Sequence, residues 1–201
     1  METTFPGNIA LFNLINAAKV PNEIVVTIAR GLAIYSPWLL IVILVPFWFL
    51  GAAGIRRALM ISGVALGLGL AVNFSLAYSF YTPRPFALGI GNSFLPHGPE
   101  TSFPSDHATF LWSLGLGLLL SRRLRWLGAG AVCLGLATAW ARVYLGVHYP
   151  LDMAASFVIS LLAAAIAGAS AEKLDGIFFQ PVERLNALLL RSVRRQGESR
   201  E

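Results

Sequence analysis

Three short stretches of the sequence combine histidine, arginine and aspartate next to long apolar runs. They read YTPRPF at 81–86, FPSDH at 103–107 and ARVYLGVHYPLD at 141–152. A transferred phosphoryl group needs cations on its oxygens, an in-line nucleophile and an acid for the leaving group. The three stretches supply all of these types: Arg84, Arg142, His107, His148, Ser105, Asp106 and Asp152.

The two arginines and the serine are suited to binding phosphate. Arg84 and Arg142 can each hold phosphate oxygens through two N–H groups of the guanidinium. Ser105 follows a proline and is predicted to lie at the start of a helix, at the N-cap or in the first turn. There its hydroxyl and the free backbone N–H groups would form an anion site.

The histidines are suited to the chemical steps. His148 precedes Asp152 by four residues, a spacing that brings two side chains together on one face of a helix. A carboxylate that accepts the Nδ1 proton would leave Nε2 free to attack phosphorus. His107 would then protonate the departing oxygen.

Apolar helices must position these stretches. Of the 201 residues, 56% are hydrophobic and 12% are charged, whereas soluble domains carry about 25% charged residues. A span needs about 20 helical residues, and the sequence predicts an all-α polytopic membrane helical bundle with five or six spans. The five apolar runs cover roughly 31–50, 58–80, 106–121, 126–141 and 153–170.

The ends of the chain are predicted to lie outside the bundle. Residues 7–19 read as an amphipathic N-terminal helix that lies in the membrane interface or caps the bundle. We predict a single domain over 1–201, with a membrane core at 22–172 and a cytoplasmic tail at 173–201. Three leucines set among arginines favour a second surface helix in this tail, and a soluble helical tail fits as well. These leucines are Leu185, Leu188 and Leu189.

The basic residues indicate topology rather than binding to nucleic acid, since they cluster at the ends of apolar runs despite the net charge of +5. With five spans, the loops near residues 56 and 123 and the tail share one side, which the positive-inside rule makes cytoplasmic. The loop at 81–104 and the turn at 142–152 then face outward. All candidate residues are therefore predicted to lie at one membrane interface.

Each candidate residue also has an ordinary structural interpretation. His107 alone fits a capping residue, Arg84 a snorkelling anchor and Asp152 a helix cap. A metal site is disfavoured because the two arginines would repel the ion, and no cofactor is predicted. For a purely structural explanation, all of these residues would have to have separate structural roles and still lie at the same membrane interface. That coincidence is improbable, so the combination of residues favours a phosphate site.

The spacing resembles that of the type 2 phosphatidic acid phosphatase superfamily. The similarity rests on RP at 84–85, PSDH at 104–107 and RVYLGVHYPLD at 142–152. The longer stretches LPHGPETSFPSDH and GVHYPLD are similar to bacterial undecaprenyl pyrophosphate phosphatases of the bacitracin-resistance type. This resemblance implies a helical membrane bundle, a phosphohistidine intermediate and no required metal.

The resemblance also implies roles for individual residues. His148 would be the nucleophile, His107 the acid and Asp152 the residue that orients the nucleophile. The residues implied as phosphate ligands are Arg84, Ser105 and Arg142.

The sequence departs from the superfamily pattern at three positions. A lysine of the first motif is replaced by Ala77, the glycine of Pro-Ser-Gly-His by Asp106, and the serine before the third-motif arginine by Ala141. None of these changes removes the nucleophile or the acid. His97 and Glu100, in the loop between these motifs, fit either a contact to a second phosphate or loop packing.

The leading hypothesis is an enzyme that hydrolyses undecaprenyl pyrophosphate to undecaprenyl phosphate at the outer face of the bacterial cytoplasmic membrane. The rival substrates are phosphatidic acid, phosphatidylglycerol phosphate and lipid A phosphates, because the motifs bind only the phosphate. Outside enzymes, the alternative is a lipid-binding or transport protein. A transporter would more often show paired repeats with broken helices at the midplane. Oligomeric state and bacitracin resistance do not follow from the sequence.

Overall fold

The computed structural model describes residues 5–186, which form helices and loops and contain no strand. A short 3₁₀ helix, Pro85–Leu88, lies in the long loop between the third and fourth helices, and a π-helical segment, Asp175–Phe179, follows the seventh. The helices are α1 Pro6–Ile15, α2 Glu23–Leu50, α3 Ala53–Ser79, α4 Asp106–Leu119, α5 Arg125–Tyr144, α6 Pro150–Ala169 and α7 Ala171–Leu174. The predicted all-α membrane bundle is confirmed.

Four helices, α2, α3, α5 and α6, are long and apolar enough to cross a membrane. Their outer faces carry large apolar side chains, among them Trp38, Val42 and Phe74, which are more than half exposed. Such faces suit lipid, which solvates apolar side chains and leaves charged ones unsatisfied.

The central helix of the bundle is the short one. Helix α4 has 14 residues, fewer than the roughly 20 that span a bilayer, and it packs against α3, α5 and α6. Gly117 permits close packing, since a Cβ there would lie 2.7 Å from the Cα of Ser62 on α3. Because protein surrounds α4, its polar first turn is held at a fixed place among the long helices.

Polar side chains join α4 to its neighbours inside the bundle. The amide of Asn73 on α3 donates to the Thr109 hydroxyl at 2.9 Å, and the Ser113 hydroxyl donates to that of Ser160 on α6 at 3.0 Å. Interhelical hydrogen bonds of this kind stabilise helix packing where the surrounding solvent is lipid. They fix the position of α4 relative to α3 and α6.

Helix α1 caps the end of the bundle at which α5 ends and α6 begins. Phe12 is fully buried, and its ring lies 5.6 Å from that of Tyr149. The Asn8 side chain accepts a hydrogen bond from the backbone N–H of Leu151 at 3.0 Å. The helix is shorter than the predicted 7–19, and its contacts are those of a bundle cap.

The segment after α6 folds back onto the start of α3. Arg56 forms a two-pronged ion pair with Glu183 at 2.5 and 2.9 Å, and Arg57 forms one with Asp175 at 2.6 and 2.8 Å. Residues 180–186 are helical, whereas the predicted tail residues Leu188 and Leu189 lie outside the described residues.

Candidate active site

Two loops meet at the end of the bundle that α1 caps. The backbone N–H of Phe94, in the long loop before α4, donates to the Leu145 carbonyl of the turn between α5 and α6 at 3.0 Å. Gly146 allows this approach, since it has a φ of +81° and a Cβ there would lie 2.2 Å from the Asn92 carbonyl oxygen. The first and third sequence motifs are thereby brought side by side.

His148 lies at the centre of the site, between two guanidinium groups. Its Nε2 is 3.1 Å from Nη1 of Arg84 and 3.0 Å from Nη2 of Arg142. Guanidinium nitrogens only donate hydrogen bonds, so Nε2 is assigned as an unprotonated acceptor. A lone pair on this nitrogen therefore faces the place where two cations meet.

The other ring nitrogen of His148 faces a carboxylate. Nδ1 lies 3.2 Å from Oδ2 of Asp152, which also accepts hydrogen bonds from the backbone N–H of Tyr149 at 2.8 Å and from the Ser102 hydroxyl. His148 is not on a helix, contrary to the spacing argument, because α6 begins at Pro150. The contact arises because Asp152 caps α6 and so turns its carboxylate toward the preceding turn.

Burial sets the protonation of His148. Burial, together with the charges of Arg142 and Arg84, lowers the pKa of His148 to about 4, although Asp152 acts in the opposite direction. The ring is therefore neutral at physiological pH. Burial also lowers the pKa of the Arg84 guanidinium, and the charges of Asp106, Asp152 and Glu100 partly offset that effect.

Backbone carbonyl groups hold both guanidiniums in place. Arg84 donates from Nη1 to the Val147 carbonyl at 2.9 Å and from Nε to the Glu100 carbonyl at 3.1 Å. Arg142 donates from Nη1 to the Ala33 carbonyl of α2 at 3.2 Å. Because these hydrogen bonds already order both guanidinium groups, the binding of a phosphate there would cost less conformational entropy.

Ser105 is the N-cap of α4, as predicted. It is fully buried; its hydroxyl accepts from the Ala108 N–H at 3.4 Å, and its backbone N–H donates to the Ser156 hydroxyl at 2.9 Å. None of its recorded hydrogen bonds reaches the arginine pair. Its expected role as a phosphate ligand remains a prediction.

His107 lies in the first turn of α4 and pairs with its neighbour. Asp106 accepts from the His107 backbone N–H at 2.8 Å and lies 2.9 Å from its Nδ1. His107 makes no hydrogen bond to His148 or to either arginine within residues 5–186. Its expected role as the acid for the leaving group therefore remains a prediction.

Ser102 is a residue that the sequence analysis missed. It is fully buried, donates to Asp152 and lies 3.4 Å from Nδ1 of His148. Nothing in the TSFPSDH stretch separates it from an ordinary loop serine. Its contact depends on the fold of the whole loop, which includes the hydrogen bond from the Ser102 N–H to the Thr82 carbonyl at 2.7 Å.

The described residues contain no group of three histidine, cysteine or acidic side chains placed to hold a metal ion. The single cysteine, Cys133, is exposed on α5. Metal independence remains a prediction that the arginine pair motivates.

Comparison with known proteins agrees with the motifs. The chain is 37% identical over 159 residues to Escherichia coli (strain K12) YbjG, named as a candidate undecaprenyl-diphosphatase, covering 77% of this chain and 78% of that protein. It is 28% identical over 155 residues to undecaprenyl-diphosphatase BcrC of Bacillus subtilis (strain 168), covering 77% and 79%. The crystal structure of Aquifex aeolicus LpxE shares the fold, with a TM-score of 0.70 and 24% identity, covering 83% and 98%. Residues 58–174 match the PAP2 superfamily, and the chain belongs to this superfamily of phosphatases.

Proposed function

We propose that the protein hydrolyses undecaprenyl pyrophosphate to undecaprenyl phosphate through a phosphohistidine intermediate on His148. The observation that carries this proposal is the position of Nε2 between Arg84 and Arg142, at 3.1 and 3.0 Å. A neutral nitrogen nucleophile next to two cations suits attack on a phosphorus whose oxygens carry negative charge. The names of the two relatives support a polyprenyl pyrophosphate as the substrate.

In the first step, Nε2 of His148 forms a bond to the terminal phosphorus. The bond between this phosphorus and the bridging oxygen breaks, and the lipid phosphate leaves with a proton donated by His107. Arg84 and Arg142 transfer their hydrogen bonds from Nε2 to the phosphoryl oxygens. Asp152 keeps the proton on Nδ1 and stabilises the positive charge that develops on the ring.

In the second step, a water molecule attacks the phosphohistidine. His107, now neutral, accepts a proton from the water while the bond between phosphorus and Nε2 breaks. Inorganic phosphate leaves, and His148 returns to its neutral form. Asp106 holds the Nδ1 side of His107 through both steps, which leaves Nε2 of that ring to exchange the proton.

We propose that the site faces the outside of the bacterial cytoplasmic membrane and that residues 173–201 form a cytoplasmic tail of a single-domain enzyme. The positive-inside rule supports this orientation. Single cysteines at positions 89 and 122, introduced into a Cys133→Ala background, test it with a membrane-impermeant thiol reagent in intact cells. We expect labelling at 89 and protection at 122, and the reverse pattern would place the site inside.

Phosphate release from purified protein tests the activity. The substrates are undecaprenyl pyrophosphate, phosphatidic acid, phosphatidylglycerol phosphate and lipid A, each with and without excess EDTA. We expect undecaprenyl pyrophosphate to have the highest kcat/KM, and we expect EDTA to have no effect because the arginines supply the positive charge. A preference for another lipid would reject the substrate, and loss of activity that magnesium restores would reject the mechanism.

A further inference from the structure

Two buried N–H groups next to His148 have no hydrogen bond within the described residues. They are Nε of Arg142 and Nδ1 of His97. The Arg142 side chain is almost fully buried, and buried polar groups in native proteins nearly always have a partner. Two such groups beside a phosphate-binding arginine pair indicate an unassigned function on this side of the site.

Arg142 connects His97 to His148. Nη2 of Arg142 lies 3.2 Å from Nε2 of His97 and 3.0 Å from Nε2 of His148. The two imidazole rings are nearly perpendicular, with centroids 6.5 Å apart. A group bound at His97 therefore lies next to a phosphoryl group that occupies the arginine pair.

The hydrogen bonds of His97 define its tautomer. Burial and the charges of Arg84 and Arg142 lower the pKa of His97, although the Gly98 backbone and the charge of Glu100 act in the opposite direction. The net shift favours the neutral ring. Nε2 accepts a hydrogen bond from Arg142, which leaves the proton on Nδ1. Glu100 lies 3.6 Å from this nitrogen, beyond hydrogen-bonding distance, and its side chain is largely exposed.

A pocket of about 410 Å³ adjoins His97. Arg30 of α2 lines this pocket and donates from Nε to the Phe94 carbonyl at 2.7 Å, while its other nitrogens make no hydrogen bond within the described residues. The remaining walls are mainly apolar: Phe86, Phe94, Leu95 and Pro96. One cation and one imidazole in an apolar pocket suit a phosphate that is joined to a hydrocarbon chain.

We propose that His97 and Arg30 bind the second, lipid-linked phosphate of a diphosphate substrate and so select diphosphates over monophosphates. The terminal phosphoryl group then lies between Arg84 and Arg142, and the first isoprene units enter the apolar part of the pocket. This inference rests on the proposed diphosphate substrate. It assigns the preference for two phosphates to residues outside the sequence motifs.

Paired substrates test the proposal. kcat/KM is measured for farnesyl diphosphate and farnesyl phosphate with the wild type, His97→Gln and Arg30→Gln. We expect each substitution to lower kcat/KM for the diphosphate about tenfold or more, and for the monophosphate less than about twofold, because only the diphosphate loses a hydrogen bond to a charged group. Arg125→Gln, exposed at the start of α5 and far from this pocket, is the control and should leave both values unchanged.

An equal loss on both substrates would overturn the proposal, because it would mean that His97 only positions Arg142. Inhibition by methylenediphosphonate, compared with methylphosphonate, gives a second measurement. We expect the wild type to be inhibited more strongly by the diphosphonate, and His97→Gln to remove the difference; a retained difference contradicts the subsite. A wild-type enzyme that hydrolyses the monophosphate but not the diphosphate would reject the proposed function itself and this inference with it.

Discussion

Two histidine–aspartate pairs lie at the same end of the bundle, and they differ in burial. In the pair His148–Asp152 the side chains are 1% and 3% exposed, and Nδ1 lies 3.2 Å from the carboxylate. In the pair His107–Asp106 they are 29% and 51% exposed, with Nδ1 at 2.9 Å. In both pairs the carboxylate contacts Nδ1 and not Nε2 of the ring. The pairs thus share a geometry and differ in access to water.

This difference suits two different tasks. A nucleophile must keep its lone pair, and burial beside two arginines keeps His148 neutral. A general acid must regain its proton in each cycle, and the partly exposed His107 is accessible to water. We propose that the surroundings of each pair, and not its residue types, determine its role.

The largest effect should follow the loss of the buried imidazole. His148→Ala removes the nucleophile, so we expect activity to fall to background and no covalent intermediate to form. Rapid-quench trapping with a substrate labelled in the terminal phosphate measures this directly. Label that remains on the protein in this variant, or that is recovered on His107, would reverse the assignment of the two pairs.

Loss of the partly exposed His107 imidazole should lower activity less than loss of His148. His107→Ala removes the proton donor and leaves the nucleophile in place, an effect of about 10²–10⁴-fold on kcat for a monophosphate ester. For a diphosphate we expect a smaller loss, since the departing phosphate is less basic than an alkoxide. Equal losses on both substrates would contradict a role in protonating the leaving group.

The two carboxylates provide a matched comparison. Asp152→Asn should lower kcat on the order of 10²–10⁴-fold, as when the buried aspartate of a serine protease triad is changed, because the tautomer is no longer fixed. Asp106→Asn should cost about tenfold or less, because water can replace an exposed partner. Lipid binding measured alongside should change little in either variant. A larger effect of Asp106→Asn would remove the functional distinction between the pairs.

Ser102→Ala tests whether the buried carboxylate needs support. The substitution removes a hydroxyl that donates to Asp152, and a hydrogen bond to a charged group contributes about 1.5–3 kcal/mol. We expect kcat to fall about tenfold or more with little change in KM, and Ser102→Thr to restore part of the loss. A change confined to thermal stability would show that Ser102 supports only the fold.

The pH profile tests whether burial keeps His148 neutral. The His148 pKa of about 4 means that kcat/KM should fall only as the pH drops toward 4, where the nucleophile becomes protonated. An acid limb near the ordinary histidine value of about 6.5 would show that His148 is not held neutral by burial.

Local patterns in the sequence predicted the helical bundle and the positions of several motif residues in it. Apolar runs follow directly from the requirement for lipid solvation, and Ser105 at the start of α4 follows from capping chemistry. The contact between His148 and Asp152 was predicted, although its cause is a helix cap rather than a shared helix face. The predicted roles of these residues await the experiments above.

Local patterns in the sequence could not predict the contacts between segments that are far apart in the chain. Ser102 and His97 reach the site only because the loop before α4 folds against the turn after α5. This fold depends on backbone conformation, including glycines with positive φ at Gly89, Gly91 and Gly146. Neither the loop path nor the depth of α4 follows from residue periodicity, because both are set by packing between segments far apart in the chain.

The ion pairs at the other end of the bundle bear on how the nascent chain enters the membrane. Arg56 and Arg57 belong to the start of α3, whereas their partners Glu183 and Asp175 are synthesised more than a hundred residues later. A chain is made from its N-terminus, so both arginines act as uncompensated cations while the early spans are being oriented. Acidic residues contribute little to membrane orientation. The later pairing joins Asp175 and Glu183 to the start of α3. The net charge of this face in the folded protein is therefore less positive than the charge that the early spans carry while they enter the membrane.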